Sequence, residues 1–432
     1  MPTRKLLFKI FARNFRGFRK IDVNLGDVTF IVGDNSSGKT SILKLVDLLL
    51  NVTYAFDFDI FTDKAILATS HDVLSPYINS PDVTIGTITV IPADKNEFKT
   101  EAKVASYEKG PSETLILKKV VTASNNKARF IISEADAIVR KDIELSATKP
   151  NLKRILEEHD RPSKGYQKLK IPGLKRIPNL MIFGLADFDE KQKKFNLSYS
   201  PSSDRFQMRH FGPIRMDPEH AYSSYAESFD PKGRHTPNVL KSLLSARRSD
   251  KSRRATIRQL NHFGAESGMF DKLFVIPYSK SDPKAPFRIE VSKKGRRFSL
   301  DEVGYGVSQI LPIIVDSIAR RTSGRTLFSI QQPELHLHPK AQAAFGELLF
   351  NLAKLGMKFL VETHSDYIIN RFRYCLHASK TNLETKVLFC ENTKKGNVVH
   401  EVSVSSRGEI ENAPSNYRTF FLREQHKLFK LI

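Results

Sequence analysis

Eight residues constrain this chain more than any others. Gly33-Asp34-Asn35-Ser36-Ser37-Gly38-Lys39-Thr40 fills the pattern GxxxxGK[ST]. The apolar run Val28 to Val32 precedes it and reads as a buried strand, and Ser41-Ile42-Leu43-Lys44-Leu45 continues it as a helix. Glycines let a backbone wrap closely around phosphate oxygens. A helix N-terminus aims its N–H groups at the same anion. Lys39 brings a point charge for the outer phosphates, and Thr40 brings a hydroxyl for Mg²⁺. Gly33, Asn35, Ser36, Ser37, Gly38, Lys39, Thr40 and Ser41 are therefore the candidates for holding a nucleotide.

Three later stretches also set polar residues beside apolar runs. In TLFSIQQPELHLHP, Thr326 to Ile330 reads as a short buried strand, followed by two amides, Gln331 and Gln332, and by Glu334. In KFLVETHSDYIINRF, Lys358 to Val361 reads as a strand, and Glu362-Thr363-His364-Ser365 ends it at a carboxyl edge, where ligands of α/β sheets bind. His364 there brings an imidazole that can donate or accept a hydrogen bond. In SLDEVGYGVSQILPIIVDSIARR, Gly304 and Gly306 are expected to form a flexible turn, with Ser308 and Gln309 opening an apolar helix from Ile310 to Ile318. A glycine turn feeding a helix is again an anion cradle. Upstream, LFKIFARNFRGFRKIDVNL alternates apolar and polar residues and predicts a strand turning at Gly17.

The string Asn14-Phe15-Arg16-Gly17-Phe18, followed shortly by the phosphate loop, resembles the N-terminus of RecF-like and OLD-like ATPases, members of the ABC class alongside SMC proteins. The C-terminal stretches resemble the same class in the same order. The resemblance implies an α/β fold: an ABC-type ATPase head, a mixed sheet with its phosphate loop, interrupted by a β-meander and a helical insertion. It implies ATP and Mg²⁺ as cofactors. Gly306, Ser308 and Gln309 take the GxGxSQ signature form, which covers the γ-phosphate held by a second copy. Gln331 falls at the acidic metal position with Thr40 as the other metal candidate, Gln332 falls at the catalytic glutamate, and Glu334 and Pro339 match xQPExHLHP. LHLHP takes the place of a loop that touches the opposite subunit, and His364 matches the switch histidine. RHFGPIRMDPEHAY resembles the family's GPxR segment, FDPKGRHTPNVLKSLL its glycine-containing partner, and LATSHDVLS around His71 the Q-loop.

The two amides bear on the chemistry. Mg²⁺ prefers oxygen ligands, usually a carboxylate plus phosphates, and Gln331 offers a neutral carbonyl. Gln332 cannot take a proton as a general base but can position water. Losing a general base costs ~10²–10⁴ in rate. Slow hydrolysis is the expectation, with Gln332, Glu334 and His364 the catalytic candidates; Glu334 or Glu362 can compensate, or the amides are the family's ordinary usage. His336 and His338 are expected on one side of an extended segment, where no third metal ligand is obvious, so a structural or interface role is preferred.

The phosphate loop and the signature lie more than two hundred residues apart, so residues 76–290 are expected to be an insertion lobe between head segments 1–75 and 291–432. Residues 83 to 133 alternate as a β-meander; residues 134 to 170 read as mainly helical in EADAIVRKDIEL and LKRILEEH. Pro162, Ser163 and Gly165 mark a break, PGLKRIPNLMIFGLADFD returns to strands, and the tail reads as a hairpin, a loop and a helix.

Net charge is +22, an excess that attracts nucleic acid or acidic protein. RRSDKSRR (Arg247 to Arg254) and KKGRR (Lys293 to Arg297) concentrate it with few aromatics, so phosphate or carboxylate contact is the plainer reading than base stacking. Two cysteines without a CxxC pair point to a reducing, cytoplasmic compartment, and no signal peptide or apolar run of ~20 residues is present. The resemblance extends to ATPases of bacterial anti-phage defence, the AriA family of PARIS systems and, as the alternative, the Septu PtuA family. It implies a homo-oligomer that holds a separate nuclease of TOPRIM type and senses an acidic phage protein or nucleic acid. No acidic cluster suited to a TOPRIM site is evident in the tail, so any cutting is expected from another polypeptide. A RecF-like DNA-repair ATPase and a nucleotide-gated scaffold without turnover are the competing readings.

Overall fold

The computed structural model describes residues 7–50, 69–92, 98–124, 127–133, 138–146, 152–161, 165–169, 188–189, 194–195, 207–225, 228–245, 251–321 and 326–417. The chain divides into two compact units. The first comprises residues 1–26, 33–205 and 390–401; the second comprises residues 27–32, 206–389 and 402–432. In chain order the elements begin with β1 (Leu7–Phe15), β2 (Phe18–Leu25), β3 (Val28–Gly33), α1 (Lys39–Leu50) and the short α2 (Ser70–Val73). There follow β4 (Asp82–Pro92), β5 (Phe98–Lys109), β6 (Leu115–Ser124), β7 (Lys127–Ser133), β8 (Ile138–Glu144), α3 (Leu152–Asp160), β9 (Gln167–Leu169), and the two-residue strands β10 (Phe188–Asp189) and β11 (Lys194–Phe195). The remainder are β12 (Gln207–Phe211), α4 (Thr236–Ser245), α5 (Lys251–Ser267), β13 (Lys272–Pro277), β14 (Phe287–Lys293), β15 (Arg296–Ser299), α6 (Tyr305–Ala319), β16 (Thr326–Gln331), α7 (Pro339–Ala353), β17 (Lys358–Glu362), α8 (Asp366–Ser379), β18 (Thr385–Thr393), β19 (Gly396–Val404) and β20 (Ile410–Glu411).

In the first unit β1 and β2 form the expected hairpin, paired from Phe8↔Leu25 to Phe15↔Phe18. Asn14 and Arg16 turn the chain with φ of 55° and 51°. Asparagine tolerates that conformation, and its side chain is used: Nδ2 donates to the Ser80 and Asp82 carbonyls at 3.1 and 2.5 Å, and Oδ1 accepts from the Ser75 N–H at 3.2 Å. β1 continues into an antiparallel meander through β4, β5, β6, β7, β8 and β9. Val104, Val121, Ala128 and Phe130 from its inner face pack with Ile155 of α3.

One expectation fails here. Ile138–Glu144 is a strand, not a helix, and pairs with β7 along its whole length from Ser133↔Ile138 to Lys127↔Glu144. Its apolar spacing fits a helical period, but ladder pairing with β7 overrides a weak local preference. The charge pattern fits a strand face. Asp142 stands opposite Arg129 and two residues from Arg140, and accepts from both at 3.0 and 2.6 Å. Burial pushes that carboxyl up, but the bonds from Arg140 and Arg129 win and hold it well below the usual range. The second half of the stretch is helical as read, in α3. Gly165 lies in a turn with φ of 87°, while Pro162, Ser163 and residues 172–187 of the strand-like stretch lie outside the described residues. So do residues 418–432 of the tail and residues 247–250 of the basic stretch Arg247 to Arg254.

The second unit is built on parallel strands in the order β12, β16, β17, β3. β16 is buried at all six positions, as parallel strands covered on both faces must be. Helices α6, α7 and α8 supply the apolar cover, with Phe30 edge-on to Phe372 at 5.4 Å and Phe328 stacked on Phe359 at 5.6 Å. β13, β14 and β15 form a separate antiparallel sheet, and Lys293 to Arg297 is its hairpin tip. Because β16, β17 and β3 run the same way, their carboxyl ends share one edge. Gln331 is register partner of Glu362, and Glu362 of Ile31. That edge is where the two amides sit.

Candidate functional site: a phosphate loop and an amide-bearing strand edge

In the first unit the loop has the conformation its glycines permit. Gly33 and Gly38 have φ of 144° and 92°, and Ser36 joins them at 61°. A Cβ on Gly33 would lie 2.0 Å from the Cys390 carbonyl oxygen, and one on Gly38 would lie 2.3 Å from the Phe18 ring. Both glycines are thus required by backbone angle and by space. Lys39, 5% exposed, donates its ammonium to the Gly33 and Asp34 carbonyls at 2.9 and 2.7 Å. α1 holds the loop from behind by burying Ile42, Leu43, Leu45, Val46, Leu48 and Leu49. Ser41 and Ile42 donate their N–H groups to the Gly38 carbonyl and start the helix. Asn35, Ser36 and Thr40 are exposed, while the Ser37 hydroxyl is buried without a hydrogen-bond partner among the described residues. A buried unpartnered hydroxyl inside a loop with no room for Cβ atoms fits a chain of phosphates. Phe18, the last residue of the string that carries the resemblance, packs under Gly38, and Asn397 packs under Gly17 and Gly38; Asn397 was no part of the sequence argument, since it sits in a plain hairpin and carries no sequence signal.

In the second unit the signature stretch corrects one expectation. Gly304 is the N-cap of α6, and Gly306 lies inside its first turn rather than in a flexible turn. Gly306 is needed for close approach: a Cβ there would lie 2.4 Å from the His336 carbonyl oxygen. Ser308 therefore falls one turn into the helix, and its hydroxyl donates to the Tyr305 carbonyl at 2.8 Å. Gln309 is fully committed. Its Oε1 accepts from the Arg215 N–H at 3.2 Å, and its Nε2 donates to the Arg215 and Met216 carbonyls at 3.4 Å.

Gln331 ends β16. Its Nε2 donates to Glu362 Oε2 at 3.2 Å, and its backbone carbonyl accepts from Arg215 Nη2 at 2.8 Å. Gln332 has φ of 42°, and its N–H donates to the Glu362 carbonyl at 2.8 Å. Glu334 accepts from the Thr363 hydroxyl and from the His364 N–H, both at 2.7 Å. Burial pushes its carboxyl above the ordinary range; the bonds from His364 and Thr363 and the charge of Arg215 oppose this. The effect is to pin the His364 loop, leaving the His364 ring exposed. Ser365 then caps α8, accepting from the Ile368 N–H at 3.2 Å. The His336–His338 stretch is turned, not extended. His336 has φ of 64° and stands edge-on to Tyr305, while His338 caps α7 and Leu337 anchors the turn in the core. No cluster of three or more His, Cys, Asp or Glu suited to a metal occurs among the described residues. His71 of α2 is exposed and pairs with Glu113 at 3.1 Å.

Arg215 was missed as a site residue by sequence reasoning, although its GPxR string was noticed. It is 2% exposed and joins the signature glutamine to the end of β16. Its Nε and Nη1 have no partner among the described residues, and burial lowers its pKa to about 10 against the pull of Glu334. His210 of β12 was also missed. It bonds the Ser329 hydroxyl at 3.0 Å, and burial lowers its pKa to about 4 against a bond to the Gln331 side chain.

A family model described as an AAA ATPase domain, AAA_15, matches residues 7–369. The chain belongs to this ATPase family. Among characterised relatives, the OLD nuclease of Thermus scotoductus (strain ATCC 700910 / SA-01) is 24% identical over 389 residues, 85% of this chain and 61% of that protein. The chain thus spans about three fifths of that relative's length. Among solved structures, an SMC head bound to the C-terminal winged-helix domain of ScpA is 12% identical with a TM-score of 0.44, covering 92% of this chain and 98% of that one. The SMC head domain of Thermotoga maritima is 13% identical with a TM-score of 0.37, covering 91% and 98%. Among the described residues no helix is long and apolar enough to cross a membrane.

Proposed function

We propose that this ATPase is a nucleotide-driven switch in anti-phage defence. ATP with Mg²⁺ binds the loop from Gly33 to Ser41, and the signature helix of a second copy, at Ser308, closes over the γ-phosphate. The assembly holds a separate nuclease, of TOPRIM type, and releases it when an acidic phage protein or nucleic acid engages the basic surface. Hydrolysis is slow, because Gln331 and Gln332 stand where carboxylates are expected and Glu334 is occupied in pinning the His364 loop. The systems this reading fits best are those with an AriA-type ATPase.

The observation that carries the reading is the cradle: two glycines with no room for a side chain, a buried lysine, and an unpartnered buried hydroxyl at a helix N-terminus. The similarity to an OLD nuclease supports a nuclease-associated role. The test is to purify the chain with the protein encoded beside it. The expected result is an ATP-dependent assembly containing both; co-purification of no nuclease, under any nucleotide condition, refutes the defence role.

The net charge of +22 favours one alternative, a RecF-like ATPase acting on DNA. That reading requires duplex-stimulated ATP hydrolysis, with stimulation falling steeply as salt rises.

A further inference from the structure

The separate sheet of the second unit ends in a charged ribbon, Lys293 to Arg297, that the nucleotide chemistry does not use. We infer that this hairpin tip docks the phosphate backbone of double-stranded nucleic acid. It is one part of the basic surface invoked above and rests on that reading only in what engages the surface, which is here nucleic acid and not an acidic protein.

The tip overhangs its core. β14 and β15 pair from Glu290↔Ser299 to Lys293↔Arg296, and register partners share a face. On the inner face Val291 is 1% exposed, whereas its partner Phe298 is 37% exposed. Two positions further along, the same face carries Lys293 and Arg296, both exposed. Cations thus take over where the apolar cover ends. The opposite face carries Arg297, its guanidinium 4.0 Å from the centre of the Phe274 ring.

These charges are not neutralised within the fold. Glu290 holds Arg288 at 2.7 Å and Arg297 at 3.8 Å, and Asp271 accepts the Lys294 N–H at 2.8 Å. Lys293, Lys294 and Arg296 make no ion pair among the described residues. The turn is also a poor place for a lysine. Lys294 and Gly295 have φ of 50° and 78°, a succession of positive angles that Asn-Gly meets with least strain. A lysine in that geometry, its backbone braced by Asp271, is an outlier of the kind that marks a functional position.

Duplex nucleic acid matches both the shape and the charge. It carries one negative charge per about 1.7 Å of its axis, so Lys293, Lys294 and Arg296 can meet phosphates together. Its major groove, about 12 Å wide, admits a two-stranded ribbon. An acidic protein would have to crowd several carboxylates into the same small area against their mutual repulsion. In nucleic acid the covalent backbone already sets that spacing.

The test titrates the full chain, without nucleotide, against a short fluorescent duplex over a series of salt concentrations. The logarithm of affinity is expected to fall linearly with the logarithm of salt. Lys293→Gln, Lys294→Asn and Arg296→Gln together remove three contacts. They should flatten the slope by about 2.7 and weaken binding by on the order of a hundredfold near 0.1 M salt. Asparagine suits the angle at position 294, and Arg297 stays because it packs on Phe274. Lys118→Gln, Lys153→Gln and Lys168→Gln remove the same charge from the first unit and should change neither quantity. Equal flattening in both triple variants means diffuse attraction and overturns the site. If the hairpin variant fails to fold, Lys293→Gln alone decides, with an expected slope change of about 0.9 and an unchanged slope as the contrary result. Polyglutamate that binds as tightly as the duplex, and loses as much in the hairpin variant, overturns nucleic acid in favour of an acidic protein. Wild type that binds no duplex at low salt sinks the hairpin site and leaves the ATPase switch standing. Duplex binding as expected, with no nuclease co-purifying, sinks the defence reading and leaves the hairpin site standing.

Discussion

Gly33–Thr40 and Gln331–Pro339 are both turns that leave the carboxyl end of a buried strand in a parallel sheet, yet their side chains are committed differently. In the phosphate loop the constraints are backbone angles and the lack of room at Gly33 and Gly38, and Ser37 remains without a partner among the described residues. In the amide turn nearly every polar group is tied down. Gln331 bonds Glu362, the Gln331 carbonyl takes Arg215, Glu334 takes Thr363 and the His364 N–H, and His338 caps α7. The first region is a tight glycine loop closed on itself by Lys39, which donates to the Gly33 and Asp34 carbonyls. The second is a pre-set scaffold that fixes where Glu362, Gln332 and the His364 ring stand. Under the proposed function, slow hydrolysis would let bound ATP persist long enough to be read.

Four perturbations would sharpen or break this contrast. The largest effect is expected from Gln332→Glu, which restores a general base and should speed ATP hydrolysis by ~10²–10⁴ in a phosphate-release assay. No increase would place the deficiency at the metal position instead. Next, Lys39→Ala removes the cradle's charge and should weaken ATP binding by on the order of a hundredfold, the worth of one or two charge-assisted bonds, read by calorimetry. Unchanged binding would undo the loop assignment. Third, Arg215→Met breaks the link between α6 and β16 and should cost about 2 kcal/mol in urea unfolding. Arg215→Lys should restore little of this, because a lysine cannot reproduce a planar guanidinium. Both variants should leave metal-free ATP affinity alone if the cradle is independent of the amide turn.

The smallest effect is on pH. Burial lowers the His210 pKa from 6.5 to about 4, so its folded form favours the neutral ring. Its contribution to stability is present above pH 6.5 and is lost as pH falls toward about 4. His210→Gln should flatten the unfolding free energy across that window. Glu334 works the other way: its raised pKa stabilises the fold at low pH and is lost as pH rises through the raised value. A wild-type profile that rises on acidification would mean that Glu334, not His210, dominates.

Much of the phosphate half was legible in the sequence, because its requirements are local. Glycine spacing, a strand before and a helix after specify a cradle within twenty residues, and β16, β17 and α6 followed from apolar runs of the right length. The amide half was not, because its meaning lies in partners far apart in the chain. Gln331 meets Glu362 across 31 residues and Arg215 across 116, and no periodicity encodes either contact. Gly306 was recognised, but for the wrong reason: it makes room for the His336 carbonyl rather than loosening a turn. β8 was misread because seven ladder pairs with β7 outweigh a helical-looking pattern.

The account turns on ATP joining two copies through the Ser308 face. Sedimentation of the wild-type chain with saturating ATP and Mg²⁺, beside Ser308→Arg, tests this most directly. The expected result is a nucleotide-dependent doubling of mass in wild type, absent in Ser308→Arg although that variant still binds ATP. A wild-type mass that does not change while ATP is demonstrably bound would contradict it.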